Sequence, residues 1–279
     1  MTGIKELELQ SEKNRKRLLE IVNIAKAGHI GGDLSCLNIL TALYHRVMNV
    51  SADKPKDPDR DRFVLSKGHC VESLYVVLES KGYIGEGVLE TLGKYGSILS
   101  GHPTIEVSGI EVNTGALGHG LSIGTGMAIA AKMDSKPWKT FVVMGDGEQG
   151  EGSIYEAARA GSNYELDNLV AIIDRNRLQI SGNTEDVMKI EDIRERWKAF
   201  GWDVQEMNGD DMKSIISSLE SIDYNNKKPH LLIAHTTKGK GVSFMENKAE
   251  WHHGVPSQEQ YEQAIAEISC RISKIEAEL

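Results

Sequence analysis

A chain of 279 residues is long enough for one large α/β domain and does not require a second. Its 32 basic and 41 acidic residues are dispersed and give a net charge of −9, which argues against a surface for nucleic acid or anionic membranes. The three cysteines (Cys36, Cys70 and Cys270) form no C-x-x-C pair, so they indicate a reducing compartment and neither a disulfide framework nor a zinc site. The charged N-terminal segment has no signal-peptide core and no apolar run reaches membrane-spanning length, so we expect a cytoplasmic protein.

The first half of the chain alternates predicted helices with loops that contain glycine and histidine. Helices are predicted for residues 4–27, with a cap at Gly28, and for residues 35–48. The R-F-V-L-S run is typical of a short buried strand, and a helix is predicted to begin directly after it at K-G-H-C. Residues 85–101 are expected to form a helix and a loop, and the glycine-rich residues 115–120 precede a helix of small side chains.

The second half of the chain contains a β-α-β unit. Two apolar runs, residues 141–144 and 169–173, flank a segment of helical composition, and two parallel strands need such a crossover. Further helices are predicted over 191–200, up to residue 221, and over 257–275, with strands at G-W-D-V-Q-E-M and P-H-L-L-I-A-H-T-T. Five strands that alternate with helices predict an α/β fold, a doubly wound parallel sheet with helices on both faces, in a single domain spanning residues 1–279.

Oxygen ligands are predicted to meet at one edge of this sheet. Asp146 and Asn176 each lie just past the carboxyl end of a parallel strand, where open α/β sheets bind ligands. A carboxylate, an amide carbonyl and the main-chain carbonyl of Leu178 make the hard oxygen set that Mg²⁺ prefers. Several glycines would let a phosphate approach the backbone, and the helix after them would point free N–H groups towards it: Gly145, Gly147, Gly150 and Gly152. The pattern predicts a magnesium-diphosphate site.

Four histidines lie in loops beside glycine or proline at the same predicted edge: His29, His69, His102 and His253. An imidazole both donates and accepts protons near pH 7, which suits chemistry on polyhydroxylated carbonyl compounds. Zinc binding is the competing interpretation, but no pair has ligand spacing on a helix and no cysteine accompanies them. His45, His230 and His235 are interpreted as structural or surface residues, and His119 stays open.

The motifs together resemble the transketolase family. The pair G-D-G-E-Q-G-E-G and D-R-N-R-L-Q-I-S resembles the thiamine-diphosphate signature of transketolase-like enzymes, with Arg175 as a departure beside the intact Asn176. The resemblance runs along the chain in the family's order, through A-G-H-I-G-G-D-L-S, L-S-K-G-H, S-G-H-P, T-G-A-L-G-H-G and W-H-H-G-V-P. It implies a thiamine-diphosphate-binding fold with thiamine diphosphate and Mg²⁺ as cofactors.

The resemblance also implies roles for particular residues. His29 and His253 would contact the donor sugar's carbonyl and hydroxyl groups and assist proton transfer, and His102 would contact its terminal hydroxyl. Glu151 matches a first-domain glutamate that reaches across the subunit interface towards an activating glutamate. Two further sets are implied: His69, Gly115, Leu117, Gly147, Asn176 and His253 lining the cofactor, and Asp146, Asn176 and the Leu178 carbonyl holding Mg²⁺.

The implied activity is transfer of a two-carbon ketol unit from a ketose, with or without phosphate, to an aldose. A full transketolase continues into a domain that binds the aminopyrimidine ring and supplies the activating glutamate. We therefore expect the N-terminal subunit of a split transketolase, active in a hetero-oligomer with a C-terminal subunit.

Related first domains leave alternatives. Those of 2-oxo-acid dehydrogenases and deoxyxylulose-phosphate synthase share the diphosphate motif, but G-H-I-G-G and H-H-G-V-P favour transketolase. A split ketolase for an unusual sugar and a non-catalytic, diphosphate-binding regulatory subunit remain open. Four imidazoles exceed what simple diphosphate binding needs, which disfavours the second of these.

Overall fold

The computed structural model describes residues 2–190 and 192–279. Its strands, in chain order, are β1 (Arg62–Leu65), β2 (Thr140–Gly145), β3 (Leu169–Arg175), β4 (Leu178–Gln179), β5 (Gly182–Asn183), β6 (Asp203–Asn208) and β7 (His230–His235). Five of them form one sheet in the order β1-β2-β3-β7-β6, and every neighbouring pair in it is parallel. The short β4 and β5 pair with each other as an antiparallel hairpin directly after β3.

The helices connect and cover these strands. They are α1 (Ile4–Ala25), α2 (Ile30–Ala42), α3 (Val71–Lys81), α4 (Gly120–Met133), α5 (Gly152–Asn163), α6 (Thr184–Val187), α7 (Ile193–Ala199), α8 (Met212–Glu220) and α9 (Gln258–Glu278). A π-helical turn, Leu43–Val47, continues α2. Among the described residues, no helix combines the length and the apolar character needed to cross a membrane.

Each face of the sheet has its own apolar core, because successive side chains of a strand point to opposite faces. Phe141 and Val143 of β2 pack with α1, α2, α3, α8 and α9, whereas Val142 and Met144 pack with α4, α5 and α7. Full burial of one such aliphatic side chain contributes about 1.5–3 kcal/mol. The predicted doubly wound sheet with helices on both faces is confirmed.

Strand register brings the predicted oxygen ligands to one level. Gly145, the last residue of β2, pairs with Asp174 of β3, so Asp146 and Asn176 both lie just beyond the paired region. The end of β3 is level with the end of β7, since Arg175 pairs with His235. The carboxyl ends of adjacent parallel strands therefore meet at one edge, as the β-α-β pattern predicts.

Several predicted element boundaries are wrong. The second helix begins at Ile30 and not at residue 35, since Gly31 and Gly32 are helical. A Cβ on Gly31 would lie 2.6 Å from the Trp251 carbonyl oxygen, so glycine there reflects close packing and not a loop. The helix expected within 85–101 is reduced to a 3₁₀ turn, Leu89–Thr91, between glycines in left-handed conformations.

Other boundaries shift by a few residues: α1 ends at Ala25, and Lys26 caps it in place of the predicted Gly28. A 3₁₀ turn, Gly68–Cys70, precedes α3, so the helix after β1 begins at Val71. The helix predicted over 191–200 is α7, whose N-terminus is capped by the Asp192 carboxylate, and residue 191 lies outside the described residues. The closing helix, α9, extends to Glu278.

Candidate active site

A cleft of about 380 Å³ opens at the carboxyl ends of β1, β2, β3 and β7. Residues from the loops after these strands line it, together with residues from the N-terminus of α2 and from the segment before α9. The cleft is lined by ten of the residues singled out from the sequence: His29, His69, Gly115, Leu117, Gly145, Asp146, Gly147, Asn176, Leu178 and His253. Residues predicted from six separate motifs thus share one cavity.

The three predicted oxygen donors lie together in this cleft. Asp146 accepts a hydrogen bond from the Gly147 N–H at 2.7 Å and one from the Arg177 N–H at 2.6 Å. The Asn176 amide carbonyl accepts from the Leu178 N–H at 3.1 Å, and the Leu178 carbonyl lies 3.4 Å from the Lys238 ammonium. A carboxylate, an amide oxygen and a main-chain oxygen are hard donors, so this set fits a magnesium ion that completes its shell with phosphate and water.

Arg175, the departure from the family signature, lies against this site. Its guanidinium donates to Asp146 at 3.2 Å, to the Thr184 hydroxyl at 2.7 Å and to Glu185 at 2.7 Å. Arg175 therefore links Asp146, the carboxylate predicted to bind the metal, to α6, the helix that follows the β4–β5 hairpin. Burial and repulsion from Asp174 raise the pKa of Asp146, and the positive Arg175 partly offsets this.

The Asn176 side chain is oriented by a buried network that the sequence pattern did not indicate. Its amide nitrogen donates to Ser35 at 3.2 Å and to Asp174 at 3.4 Å. Asp174, fully buried, also accepts from Lys67 and from Thr236. Because this network holds the amide nitrogen, the Asn176 amide oxygen points away from Ser35 and Asp174. Burial opposes the charge on Lys67, but Asp174 outweighs it and raises the pKa of Lys67.

A buried glutamate joins three loops around the cleft. Glu148 accepts from the Gly118 N–H at 2.8 Å, from the Gly145 N–H at 3.0 Å and from the Ser66 hydroxyl. Burial raises its pKa, and these hydrogen bonds partly offset the rise. They also occupy the Gly145 N–H, so this N–H is not free for a phosphate as the glycine pattern suggested. Glu148 instead fixes the spacing of the loops after β1 and β2 and before α4.

The histidines form a contiguous cluster. The His29 ring lies 4.1 Å from His253, 5.3 Å from His69 and 5.7 Å from His252, measured between centroids. His252 was not singled out from the sequence, because the motif W-H-H-G-V-P was assigned to its neighbour His253. Its Nδ1 lies 2.9 Å from the ammonium of Lys238, a residue that no sequence motif singled out. The only signal for His252 was its place beside His253.

The cleft keeps His29, His69 and His252 neutral. Burial, followed by the nearby His69, lowers the pKa of His29 to about 3. Burial and Lys238 lower the pKa of His252 to about 3, and burial lowers that of His69 to about 4. Burial also lowers the pKa of Lys238 to about 8. A neutral imidazole offers one donor and one acceptor, which matches the hydroxyl and carbonyl groups of a sugar.

Other predicted residues lie around the cleft and not in its lining. His102 packs beside Gly115, where a Cβ would come within 3.0 Å of its ring, and its centroid is 6.5 Å from His29. Glu151 is exposed at the N-terminus of α5, beside Gly118. Gly150 and Gly152 do not line the cleft, because a 3₁₀ turn, Gly147–Gly150, separates β2 from α5.

Two buried carboxyl groups lie on the first turns of α2 and α3. Asp33 is fully buried and Glu72 is 3% exposed, and one oxygen of each has no hydrogen-bond partner. Ser73 donates to the other Asp33 oxygen from its N–H at 2.9 Å and from its hydroxyl at 2.7 Å. Burial raises the pKa of Asp33 to about 6 despite these bonds, and burial together with Asp33 raises the pKa of Glu72. The pair therefore retains protons that the unfolded chain releases.

Replacing Glu72 with Gln is expected to stabilise the chain at neutral pH by about 1–3 kcal/mol, since an amide can donate to the unpartnered Asp33 oxygen. The wild-type contribution from Asp33 is fully present below its unfolded pKa of 3.8 and is lost as the pH rises through about 6. The gain in the variant should therefore be small at acid pH and large above pH 6. Urea unfolding at several pH values measures it. Glu86→Gln, at an exposed position, is the control, and a gain independent of pH would contradict the raised pKa values of Asp33 and Glu72.

An open parallel sheet with this oxygen-donor set and glycine-rich loops at its carboxyl edge defines a diphosphate-binding α/β domain. The model of the family described as "Transketolase, thiamine diphosphate binding domain" matches residues 10–269. The chain belongs to the transketolase family, which confirms the resemblance that the motifs carry.

Two relatives match the chain along nearly their whole length. It is 73% identical to an apulose-4-phosphate transketolase subunit of Phocaeicola vulgatus, covering 99% of this chain and 98% of the relative. It is 40% identical to the 6-deoxy-6-sulfo-D-fructose transketolase subunit SqwG of Clostridium sp., covering 94% of this chain and 97% of the relative. The relatives bear out the expected likeness to the N-terminal subunit of a split transketolase, an enzyme subunit.

Solved structures agree with the fold. The transketolase from Leishmania mexicana superimposes with a TM-score of 0.86 at 28% identity, over 100% of this chain and 46% of that one. A transketolase from Pichia stipitis matches with a TM-score of 0.87 at 28% identity, over 99% of this chain and 44% of that one. The chain thus spans a little under half the length of these transketolases.

Proposed function

We propose that this chain is the diphosphate-binding subunit of a thiamine-diphosphate- and Mg²⁺-dependent split transketolase. It would transfer a two-carbon ketol unit from a ketose phosphate to an aldose, together with a C-terminal subunit. The observation that carries the proposal is the meeting of the oxygen donors and the histidine cluster in one cleft. The relative at 73% identity favours apulose 4-phosphate as the ketose, and the sulfosugar of the relative at 40% identity is the alternative.

Asp146, Asn176 and the Leu178 carbonyl would hold Mg²⁺, and Gly147 gives a diphosphate room. A Cβ on Gly147 would lie 3.0 Å from the Gln179 side chain, so a larger residue at position 147 would crowd this part of the cleft. Lys238 lines the same cleft and would offset the remaining negative charge of the diphosphate. When bound, thiamine diphosphate supplies the electron sink for breaking the carbon–carbon bond next to a ketone.

The histidines would orient the sugar and move its protons. His29 is suited to this because it lines the cleft and its imidazole stays neutral. His253, whose ring centroid lies 4.1 Å from that of His29, is more exposed, and sugar and cofactor would meet beside it. His102, at the outer end of the cluster, would contact the far hydroxyl, and His69 and Gly115 with Leu117 would line the cofactor.

A non-catalytic binding subunit remains the second candidate. A diphosphate needs cations and N–H donors, whereas several neutral imidazoles serve proton movement between hydroxyl and carbonyl groups. The depressed pKa values of His29 and His252 favour the catalytic alternative. The cytoplasmic location expected from the sequence stays a prediction.

The chain alone is expected to bind thiamine diphosphate weakly and to show no ketol transfer. Among the described residues, Glu151 lies outside the cleft lining and is exposed, so it would act only through a glutamate of the second subunit. Turnover is to be measured for this chain, for the second subunit, and for their mixture, with the mixture containing Asp146→Ala as control. Transfer by the isolated chain at the rate of the mixture would overturn the proposed division of the active site. No transfer by the mixture with any ketose phosphate would favour the non-catalytic subunit.

A further inference from the structure

Three imidazoles of the cluster have the spacing of a metal site. His29, His252 and His253 each offer one ring nitrogen, and these three nitrogens lie within 4.8 Å of one another. They come from two distant segments, one before α2 and one before α9, so no spacing in the sequence predicts the set. The sequence disfavoured zinc because no pair of histidines has ligand spacing on a helix, but the folded chain brings these three together without such spacing.

Backbone contacts hold the two segments together. His29 and Gly254 form a parallel β-bridge. Two residues after His29, Gly31 packs so closely against Trp251 that a Cβ on it would lie 2.6 Å from the Trp251 carbonyl oxygen. Trp251 itself is 9% exposed and anchors the segment that carries His252 and His253. The three rings are thus positioned by packing and do not depend on a ligand to bring them together.

The donor chemistry suits a borderline cation. Neutral imidazole nitrogen is a preferred ligand of Zn²⁺, and sites with three protein ligands keep a fourth position open. The His29 Nδ1 is buried and has no partner within the chain. All three histidines line the cleft, so the open position would face its interior. By contrast, the oxygen donors of Asp146 and Asn176 suit Mg²⁺.

We propose that His29, His252 and His253 form a second metal site, selective for Zn²⁺-class divalent transition metals over Mg²⁺. The bound ion would occupy the imidazoles that the sugar needs. It would therefore inhibit ketol transfer in competition with the sugar, a consequence that rests on the proposed function. The Lys238 ammonium, 2.9 Å from the His252 Nδ1, opposes a second positive charge there and tunes the affinity downwards.

The metal site is tested on the full chain with Co²⁺ as probe, in excess Mg²⁺ and without sugar or thiamine diphosphate. Titration should produce the intense visible absorption of four-coordinate Co²⁺, which Zn²⁺ removes and Mg²⁺ does not. His29→Ala and His252→Ala should each weaken Co²⁺ affinity by more than the roughly 100-fold loss caused by removing an outer-sphere partner. Lys238→Met should strengthen it.

His235→Ala and Cys270→Ser serve as matched controls, since both side chains are exposed and lie outside the cleft lining. Their Co²⁺ affinity should equal that of the wild type. Absence of the Co²⁺ spectrum in the wild-type chain, or affinity unchanged in both histidine variants, would overturn the metal site. Inhibition of the assembled enzyme is a separate measurement: Zn²⁺ binding without competition against the sugar would refute only the inhibitory consequence.

Discussion

Replacing Asp146 or Asn176 with Ala should weaken Mg²⁺-dependent binding of thiamine diphosphate by the assembled enzyme by more than about 100-fold. Loss of an outer-sphere partner alone costs roughly 10- to 100-fold in metal affinity, and these residues supply direct oxygen donors. Isothermal titration with thiamine diphosphate at saturating Mg²⁺ measures the effect. Wild-type cofactor affinity in either variant would show that the oxygen donors hold something else.

A loss of affinity through misfolding is distinguishable from loss of the ligand. Burial and repulsion from Asp174 raise the pKa of Asp146, so the chain without cofactor holds this carboxylate at a cost in free energy. The thermal midpoint of Asp146→Ala without cofactor should therefore stay close to that of the wild type, because relief of this cost offsets the loss of hydrogen bonds from Gly147, Arg175 and Arg177. Asp186→Ala, an exposed carboxylate on α6, is the matched control and should leave both cofactor affinity and midpoint unchanged.

Asp174 extends this test to a residue that positions a ligand. Its carboxylate accepts a hydrogen bond from the Asn176 amide nitrogen, and this bond fixes the orientation of the amide. Asp174→Asn would disturb the orientation while leaving every direct donor in place. The cofactor affinity of this variant should fall between those of the wild type and Asn176→Ala.

The periodic part of the fold was predictable because each strand and crossover leaves a local pattern. The β2–α5–β3 unit follows from two apolar runs and the segment between them, and Asp146 and Asn176 follow from their place after those runs. The start of α2 was not predictable, since Gly31 and Gly32 are helical where Trp251 packs against the first and Cys70 against the second. Glycine in a helix interior contradicts its own propensity, and tertiary contact decides the outcome.

The direct ligands were easier to predict than the groups that hold them. Asp146 stands in a glycine-rich motif and Asn176 closely follows an apolar run, whereas Glu148, Lys67 and Asp174 act through partners distant in sequence. Glu148 binds Gly118, which is 30 residues away, and Lys67 binds Asp174, which is 107 residues away. Burial of charged groups depends on the assembled fold, so composition and spacing carry no signal for it. His252 was missed for another reason: one motif contained two adjacent histidines.

Replacing His29 or His253 with Ala should reduce turnover of the assembled enzyme by about 10²–10⁴-fold, the usual loss for a general acid–base group. For His29→Ala the loss should fall on kcat with little change in cofactor affinity, because His29 is proposed to contact the sugar and not the cofactor. For His253→Ala both should fall, because this more exposed ring is proposed to contact both the sugar and the cofactor. Steady-state kinetics and cofactor titration on the same preparations separate the two effects.

Turnover of His252→Ala shows which of the two adjacent histidines, His252 or His253, moves the proton. His252 lies 5.5 Å from His69 and is held by Lys238, whereas His253 is 4.1 Å from His29. We expect a loss of turnover in His252→Ala that is smaller than in His253→Ala. A larger loss in His252→Ala would transfer the proton-moving role to His252, with Lys238 as the group that orients it.

The pH profile and a glutamine substitution together test whether His29 moves a proton or only orients the sugar. Because burial lowers the pKa of His29 to about 3, it stays neutral well below the ordinary value of 6.5, and protonation of this group should not limit kcat/KM near pH 6. His29→Gln keeps a hydrogen-bond donor and acceptor but cannot carry a proton. Binding of the sugar should survive in His29→Gln while kcat stays as low as in His29→Ala. Recovery of kcat in the Gln variant would reduce His29 to an orienting residue.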